Sequence, residues 1–408
     1  MSSNLERICT VDIEISSPIV DSAAFDAVLI VGPAPAKPIG EIPPVTVYSS
    51  AQEAQDAGYV TTGDDADPVG RAINVAFSQS PKPTAVYVAT QQPAPAPDPD
   101  ETTDPPATGE DGGSNPDTPK ETGGENEGAE VAALAAADDG LEALGVTLAR
   151  ALETNGWYVI CPAGISEDRY EEIAEWTEAQ TKMFAYTTMS ETPPVRNVYF
   201  RTFGFYGREY VGQPENEIPA ANYFLHVAAC AKILRYDPGS ETWVFKALAS
   251  ISPSKIKTAT VKKFEEANLN YFNTVASRNI TMLGKTASGE WIDLIRFRDW
   301  LQNDMQVRVV NLLVTNKKIP YTDGGIGLVQ NQMIASLKAG QQAGGIAPTE
   351  YDEDQNEIPG YVTKVPLAAN LTAVQKASRK LKGVSFQARI AGAIHMVEIN
   401  GNLTYDNL

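Results

Sequence analysis

The chain has 408 residues, 43% of them apolar and 21% charged, a balance that fits a water-soluble globular protein and excludes a fibrous or wholly disordered one. Two or three domains are expected at that length. The net charge of −20, from 52 acids against 32 bases, repels nucleic acid and anionic membrane surfaces unless bases are concentrated locally.

The predicted elements follow in chain order. Residues 10–15 (TVDIEI) alternate strictly, with Val11, Ile13 and Ile15 on one face and Asp12 and Glu14 on the other, as a strand does. Pro18 and a polar stretch separate it from residues 27–31 (AVLIV), a buried strand, and 45–48 form another. Ser49 or Ser50 is placed to cap a short helix over 51–57, and Asp67-Pro68 opens a second helix through Ile73 and Phe77. Residues 84–89 (TAVYVA) read as a strand.

Residues 93–130 then break the composition. They hold eight prolines, six glycines and eleven acids against the single base Lys120, with no Val, Ile, Leu, Met, Phe, Trp, Tyr or Cys. Such a stretch cannot bury enough apolar surface to offset the entropy of ordering. It is expected to be a solvated, acidic loop or linker that projects outward.

Beyond it, Leu141, Leu144, Leu148 and Leu152 lie on one helical stripe. Residues 157–161 (WYVIC) read as a strand. Ser166 is placed to cap a helix bearing Ile173, Trp176 and Met183, and 183–186 and 198–201 look extended. The second half is more helical: 220–234, a helix from Ser252 or Ser254 to Ala267, a long one over 291–314, another over 326–337 after Pro320 and Gly324-Gly325, and a short basic one over 371–382 ended by Gly383. Residues 384–399 read as extended, and Leu403 and Tyr405 resume an alternation after Asn400-Gly401. Alternating strands and helices followed by a helical half give a mixed α+β expectation.

Familiar catalytic and ligand motifs are missing. Gly284-Lys285-Thr286 would need glycine at 279 for a phosphate loop, where Asn279 stands; Gly325-Ile326-Gly327 lacks the third glycine at Gln330. Asp352, Asp354 and Asn356 imitate a calcium loop, but Glu357 and Thr363 occupy its glycine and acid positions. Cys9, Cys161 and Cys230 are widely spaced and read as small buried hydrophobes in a reducing compartment. His226 and His395, far apart and in apolar settings, read as satisfied core or interface histidines. No cofactor, metal or catalytic residue is nominated. The N-terminal stretch carries Glu6, Asp12 and Glu14 without a long apolar run, unlike a signal peptide.

The two ends leave a choice. The alternating strands at 10–15 and near 403–405 can tuck onto their own sheet, or each can complete a sheet in a neighbouring copy. In a head-to-tail arrangement that does not close, such exchange builds a filament.

Residues 287–328 read ASGEWIDLIRFRDWLQNDMQVRVVNLLVTNKKIPYTDGGIGL, and the tail reads VSFQARIAGAIHMVEINGNLTY. The run Gly289 to Asp293, the centre Asp299-Trp300-Leu301, the stretch Ile319 to Asp323 and the run Ala391 to His395 together resemble the tail sheath proteins of contractile-tailed bacteriophages, in their compact form. The resemblance implies a sheath-type core of mixed sheets flanked by helices. It divides the chain into an N-terminal exchange arm (1–20), an α/β domain (21–92 and 131–219) interrupted by the insertion 93–130, a C-terminal core domain (220–395) and a C-terminal exchange arm (396–408). It implies hexameric rings stacked helically around an inner tail tube, with baseplate and tail terminator proteins as further partners and no binding of nucleic acid or insertion in membrane. Val11, Ile13, Ile15, Leu403 and Tyr405 would be lent to neighbours. Contraction from a metastable extended state would drive the tube through a bacterial envelope without nucleotide hydrolysis. The sheath would belong to a virion tail assembled in the bacterial cytoplasm, or to a phage-derived injection particle. An α/β enzyme lacking any known motif is the other alternative. Lys376, Arg379, Lys380 and Lys382 cluster in one predicted helix of an acidic protein; they are either a solvated face or a helix facing an acidic tube surface, with Arg296, Arg298 and Arg308 as weaker candidates for the same role.

Overall fold

The computed structural model describes residues 24–94 and 140–401. The strands lent to neighbours on the sequence reading (Val11, Ile13, Ile15, Leu403 and Tyr405) lie outside the described residues, as does most of the acidic insertion.

The first half builds one sheet. Its elements are β1 (Val28–Gly32), β2 (Val45–Tyr48), helices α1 (Ala51–Asp56) and α2 (Pro68–Phe77), β3 (Val86–Thr90), α3 (Leu144–Thr154), β4 (Val159–Pro162), α4 (Tyr170–Glu178), β5 (Met183–Thr188) and β6 (Thr202–Tyr206). Helices α5 (Leu225–Ile233) and α6 (Thr258–Glu266) follow, then β7 (Asn270–Val275) and β8 (Arg278–Met282). The strand order is β2-β3-β1-β4-β5-β6-β7-β8. From β3 to β7 all neighbours run parallel, and β2 and β8 add an antiparallel strand at either edge. The sheet thus includes strands from both sides of position 219.

A parallel sheet needs both faces covered, so its strands read as continuous apolar runs. In β1 all five residues are buried: Val28 and Ile30 join the core with α2 and α5, whereas Leu29 and Val31 join the core with α3 and α4. Alternate side chains of one strand therefore feed two cores. Cys161 and Cys230 are buried free thiols. His226 is a satisfied core histidine, its Nδ1 2.8 Å from Thr187 Oγ1 and its Nε2 3.2 Å from the Pro162 carbonyl. Burial pushes it down to about 3.

The ends of the acidic stretch are brought together. Pro93 pairs with Leu141, Ala94 N donates to Gly140 O at 2.9 Å, and Glu142 N donates to Gln92 O at 2.8 Å. The described chain thus stops at the end of β3 and resumes at the same place. Leu141 belongs to this bridge and not to the helix.

The rest of the chain forms a smaller layer. It consists of α7 (Ile292–Thr315), α8 (Asp323–Ala343), the hairpin β9 (Glu350–Tyr351) and β10 (Glu357–Ile358), β11 (Tyr361–Lys364), the short α9 (Ala373–Ala377) and β12 (Ser385–Ala388). Helices α7 and α8 share a core of Phe297, Leu301, Met305, Met333, Leu337 and Ile346, on which Tyr361, Phe386 and Ala388 of the antiparallel β11–β12 pair rest.

Several expectations shift. The extended stretch near 198–201 starts later, as β6. Residues 252–257 are not helical, because Ser254 N bonds to Phe272 O and its hydroxyl to Arg208 O, both at 2.6 Å. Asp67 caps no helix with its side chain, which instead accepts from Val60 N at 2.7 Å. Gly324 and Gly325 lie inside the first turn of α8, where the Thr322 hydroxyl accepts from Gly325 N. That cap outweighs the helix cost of the glycines, and the helix ends at Gly344 in the left-handed region.

Candidate interaction surface

Helix α7 is fixed first. Its 24 residues span roughly 36 Å at 1.5 Å per residue. Its N-terminal half enters the sheet core through Ile292 and Ile295. Around Asp299, which is 1% exposed, five donors converge: Tyr158 Oη at 2.8 Å, Arg201 Nη1 at 2.7 Å, Arg201 Nη2 at 3.1 Å, Arg298 Nη2 at 2.8 Å and Arg298 Nε at 3.2 Å. Burial acts to raise the Asp299 carboxyl, but the charge and hydrogen bonds of Arg201, followed by Arg298, outweigh it and hold the group below its ordinary value. Behind this cluster Lys182 Nζ donates to Trp157 O at 2.6 Å, and burial pushes it down to about 7.

Arg296 and Arg298 are therefore interior groups, which corrects their reading as surface candidates. Arg296 is fully buried and ion-paired to Glu241, Arg298 pairs with Asp299, and Arg308 pairs with Asp304 one turn away. The helix turns this side to the sheet because each guanidinium finds carboxylate or carbonyl partners there.

The basic cluster lies between β11 and β12. Residues 365–384 hold Lys376, Arg379, Lys380 and Lys382 and no acid. The loop is held to α8 where Ala368 N donates to Asp323 Oδ1 at 2.7 Å. The expected 371–382 helix is cut to α9, whose start is fixed by a Thr372–Gln375 capping box. It stops because Arg379 adopts φ +55°, the left-handed region, which a right-handed helix cannot contain. Only Lys376 is helical. Arg379, Lys380 and Lys382 are exposed, Lys376 is half-buried, and none of the four makes an ion pair among the described residues.

The chain then runs out along the body. Ala347 N donates to Arg389 O and Ala391 N to Gly345 O. Among residues 391–401 every residue but His395 is exposed. The His395 ring stands edge-on to Trp291 at 4.8 Å and to Phe245 at 6.0 Å, and its Nε2 is 2.8 Å from Thr242 Oγ1. Burial, then the nearby Lys246 charge, lowers its basicity. It borders a shallow cleft of about 190 Å³ that also includes Glu241, Asp293 and Phe297. Past it, Met396 is 89% and Ile399 87% exposed, with Val397 and Ile394 also outward. None of residues 391–401 lies in a strand, so within the stretch read as extended, 384–399, strand pairing is limited to β12 and a single bridge from Ile390 to Ile346.

Sequence reasoning missed Asp299, Arg201 and Tyr158 as a cluster, since they are scattered in the chain and only the fold joins them. His395 was noticed as an interface candidate. Its partners Trp291 and Thr242 carried no local signal beyond a Gly-Glu-Trp run.

The architecture is a helix-covered mixed sheet continued by an α7–α8 pair, a strand hairpin and an exposed apolar tail. Residues 292–403 match the family described as E217 tail sheath protein gp31-like, C-terminal domain. Solved structures share the fold over nearly the whole length. A chain of the anti-feeding prophage baseplate superposes with a TM-score of 0.62 at 12% identity, covering 97% of this chain and 98% of that one. The contracted helical sheath of the same prophage gives 0.61 at 12%, covering 98% and 99%. The contracted PVC sheath complex of an extracellular contractile injection system gives 0.57 at 11%, covering 98% and 97%. No curated protein matches the sequence.

Proposed function

We propose that the chain is the repeating, non-catalytic subunit of a contractile tail sheath, held in a metastable extended form around an inner tube and shortening to drive that tube through a bacterial envelope. The observation that carries the mode of assembly is the tail after His395. Met396, Val397 and Ile399 stand in water, inside the stretch that matches the tail-sheath family, and no strand among the described residues pairs with them. Burying each would contribute about 1.5–3 kcal/mol before ordering costs. Residues 394 and 396 would point to one face of an extended strand and 397 and 399 to the other. Such a segment suits insertion in a sheet covered on both sides.

In this reading residues 1–20 and 396–408 are exchange arms. Val11, Ile13 and Ile15 at one end and Leu403 and Tyr405 at the other pair with neighbouring copies in rings of six. Main-chain bonds of about 1 kcal/mol each hold the lattice while the bodies rotate as rigid units. The exposed bases at 376–382 meet an acidic tube surface, a contact that salt weakens and that can be released. Baseplate and terminator proteins bound the two ends of a sheath assembled in the bacterial cytoplasm. The whole-length likeness to injection-system sheaths supports a second reading, a tail-like injection particle without a capsid.

Electron microscopy of the purified protein tests the proposal. The full chain should form hollow striated tubes, and a chain lacking residues 1–16 should stay a soluble subunit. Normal tubes from the truncated chain would overturn the arm assignment.

A further inference from the structure

Both ends of the described chain are held at one place. At the N-terminal end, Phe25 is the first buried residue. Its carbonyl accepts from Arg296 Nε at 3.2 Å and Nη2 at 2.8 Å, and its ring lies 5.0 Å from Tyr158. The same guanidinium reaches Leu234 O, Tyr236 O and, at 2.5 Å, Glu241 Oε1. At the other end His395 is held by Thr242, Trp291 and Phe245.

Glu241 and Thr242 are consecutive. Trp291 and Arg296 are five residues apart at the start of one helix, roughly 7.5 Å along its axis. Residues 237–250 contain no helix or strand. A shift of this irregular segment moves the Glu241 carboxylate and the Thr242 hydroxyl together. Glu241 is buried and its charge needs Arg296. Arg296 in turn cannot move without releasing the Phe25 carbonyl.

We propose that the 241–242 segment and the first turns of α7 form a single mount for both chain ends, so that loosening one end loosens the other. Such coupling needs one physical element that both ends bias, and by linkage it must act in both directions. In a sheath, a consequence that rests on the function proposed above, a pull on one arm by one neighbour would reach the other arm through a few residues rather than across the eight-stranded sheet. The coupling itself is a property of the isolated subunit and is tested there.

The experiment is hydrogen–deuterium exchange on the full chain in solution, comparing the unsubstituted protein with Phe25→Leu, His395→Ala and Thr242→Val. His395→Ala and Thr242→Val should raise exchange about fivefold in the peptide over 24–33 as well as over 388–401, the low end of measured coupling between sites. Phe25→Leu should do the same at 388–401. Exchange in β5 should not change. If each substitution acts only on its own end, the single mount is refuted. If Phe25→Leu loosens β5 as well, Thr242→Val decides: its hydroxyl meets His395 and the neighbouring Val244 N but nothing at the N-terminal end, so an unchanged 24–33 peptide refutes the coupling. Tube formation plays no part in the readout, so a failure here leaves the sheath proposal standing, and a failure of the sheath proposal leaves this result interpretable.

Discussion

Asp299→Asn tests how the long helix is fastened to the sheet. The carboxylate accepts from Tyr158, twice from Arg201 and once from Arg298 within 3.1 Å. Asparagine keeps the shape, loses the charge and turns an N–H₂ group towards guanidinium donors. Arg201 is fully buried and Arg298 nearly so, and Arg201 Nε and Arg298 Nη1 already have no partner among the described residues. Breaking a buried pair while one charge remains costs about 3–5 kcal/mol, a large share of the roughly 5–15 kcal/mol that holds a domain folded. Arg201→Met should cost less, because Arg298 and Tyr158 still serve the carboxylate. The pH dependence follows from the lowered carboxyl. Its stabilisation is present above the unfolded value of about 3.9 and is lost as pH falls through the lower folded value. The gap between unsubstituted and Asp299→Asn proteins should therefore be full at pH 7 and narrow below pH ~4. Urea unfolding followed by circular dichroism reads both effects. A loss below about 1 kcal/mol, the size of one ordinary hydrogen bond, would refute the clamp.

Three further outcomes are expected. The dock of His395 should weaken as pH falls below the ordinary histidine value of 6.5, because the lowered basicity means the neutral ring is the one held. Burial and then Lys246 oppose the charged form; Lys285 stands over the Trp291 ring, and Glu241 and Asp293 line the same cleft; exchange over 396–401 at pH 7.5 and 5.5 measures this. The double reversal Arg379→Glu with Lys380→Glu should leave the subunit's melting curve unchanged, since both side chains are exposed and unpaired among the described residues, yet abolish co-sedimentation with an acidic tube; unchanged co-sedimentation counts against this loop. Gly345→Ala would drive a methyl into the Phe297 ring, so it should destabilise the chain by about 1–3 kcal/mol, seen as an earlier urea midpoint, whereas Gly327→Ala, which meets nothing, should not.

The sheet was legible because parallel strands buried on both faces leave short apolar runs, as at 27–31 and 157–161, and α7 was legible through its spaced apolar residues. What failed were decisions taken by distant partners. Ser254 bonds to Phe272 rather than starting a helix. Thr322 makes a helix of a stretch whose glycines suggested a stop. Arg379 enters the left-handed region and halves the basic helix. Charge misled most on α7: Arg296 and Arg298 look like surface bases until Glu241 arrives from elsewhere in the chain and the fold buries Asp299 beside them. Two of the four stretches that carried the family resemblance, the Gly-Glu-Trp run and the Ala-Gly-Ala-Ile-His run, come together in space as the Trp291–His395 contact. Local chemistry could flag each but not their meeting.

A subunit that changes neighbours without losing its fold must be stiff inside and yield only where it is joined. The interior meets the first demand through specific polar contacts rather than apolar area alone. Apolar packing between α7 and the sheet tolerates small slips, whereas a carboxylate held by donors from Tyr158, Arg201 and Arg298 has one position that satisfies them all. The joints meet the second demand by being sparse. His395 is held by one hydroxyl and two ring edges, and beyond it the side chains of Met396 to Ile399 are left to water. The energy that would bind those side chains is thus unspent in the isolated subunit and available for a neighbour. On the function proposed above, a tail more tightly bound to its own body would give a more stable monomer and a weaker lattice.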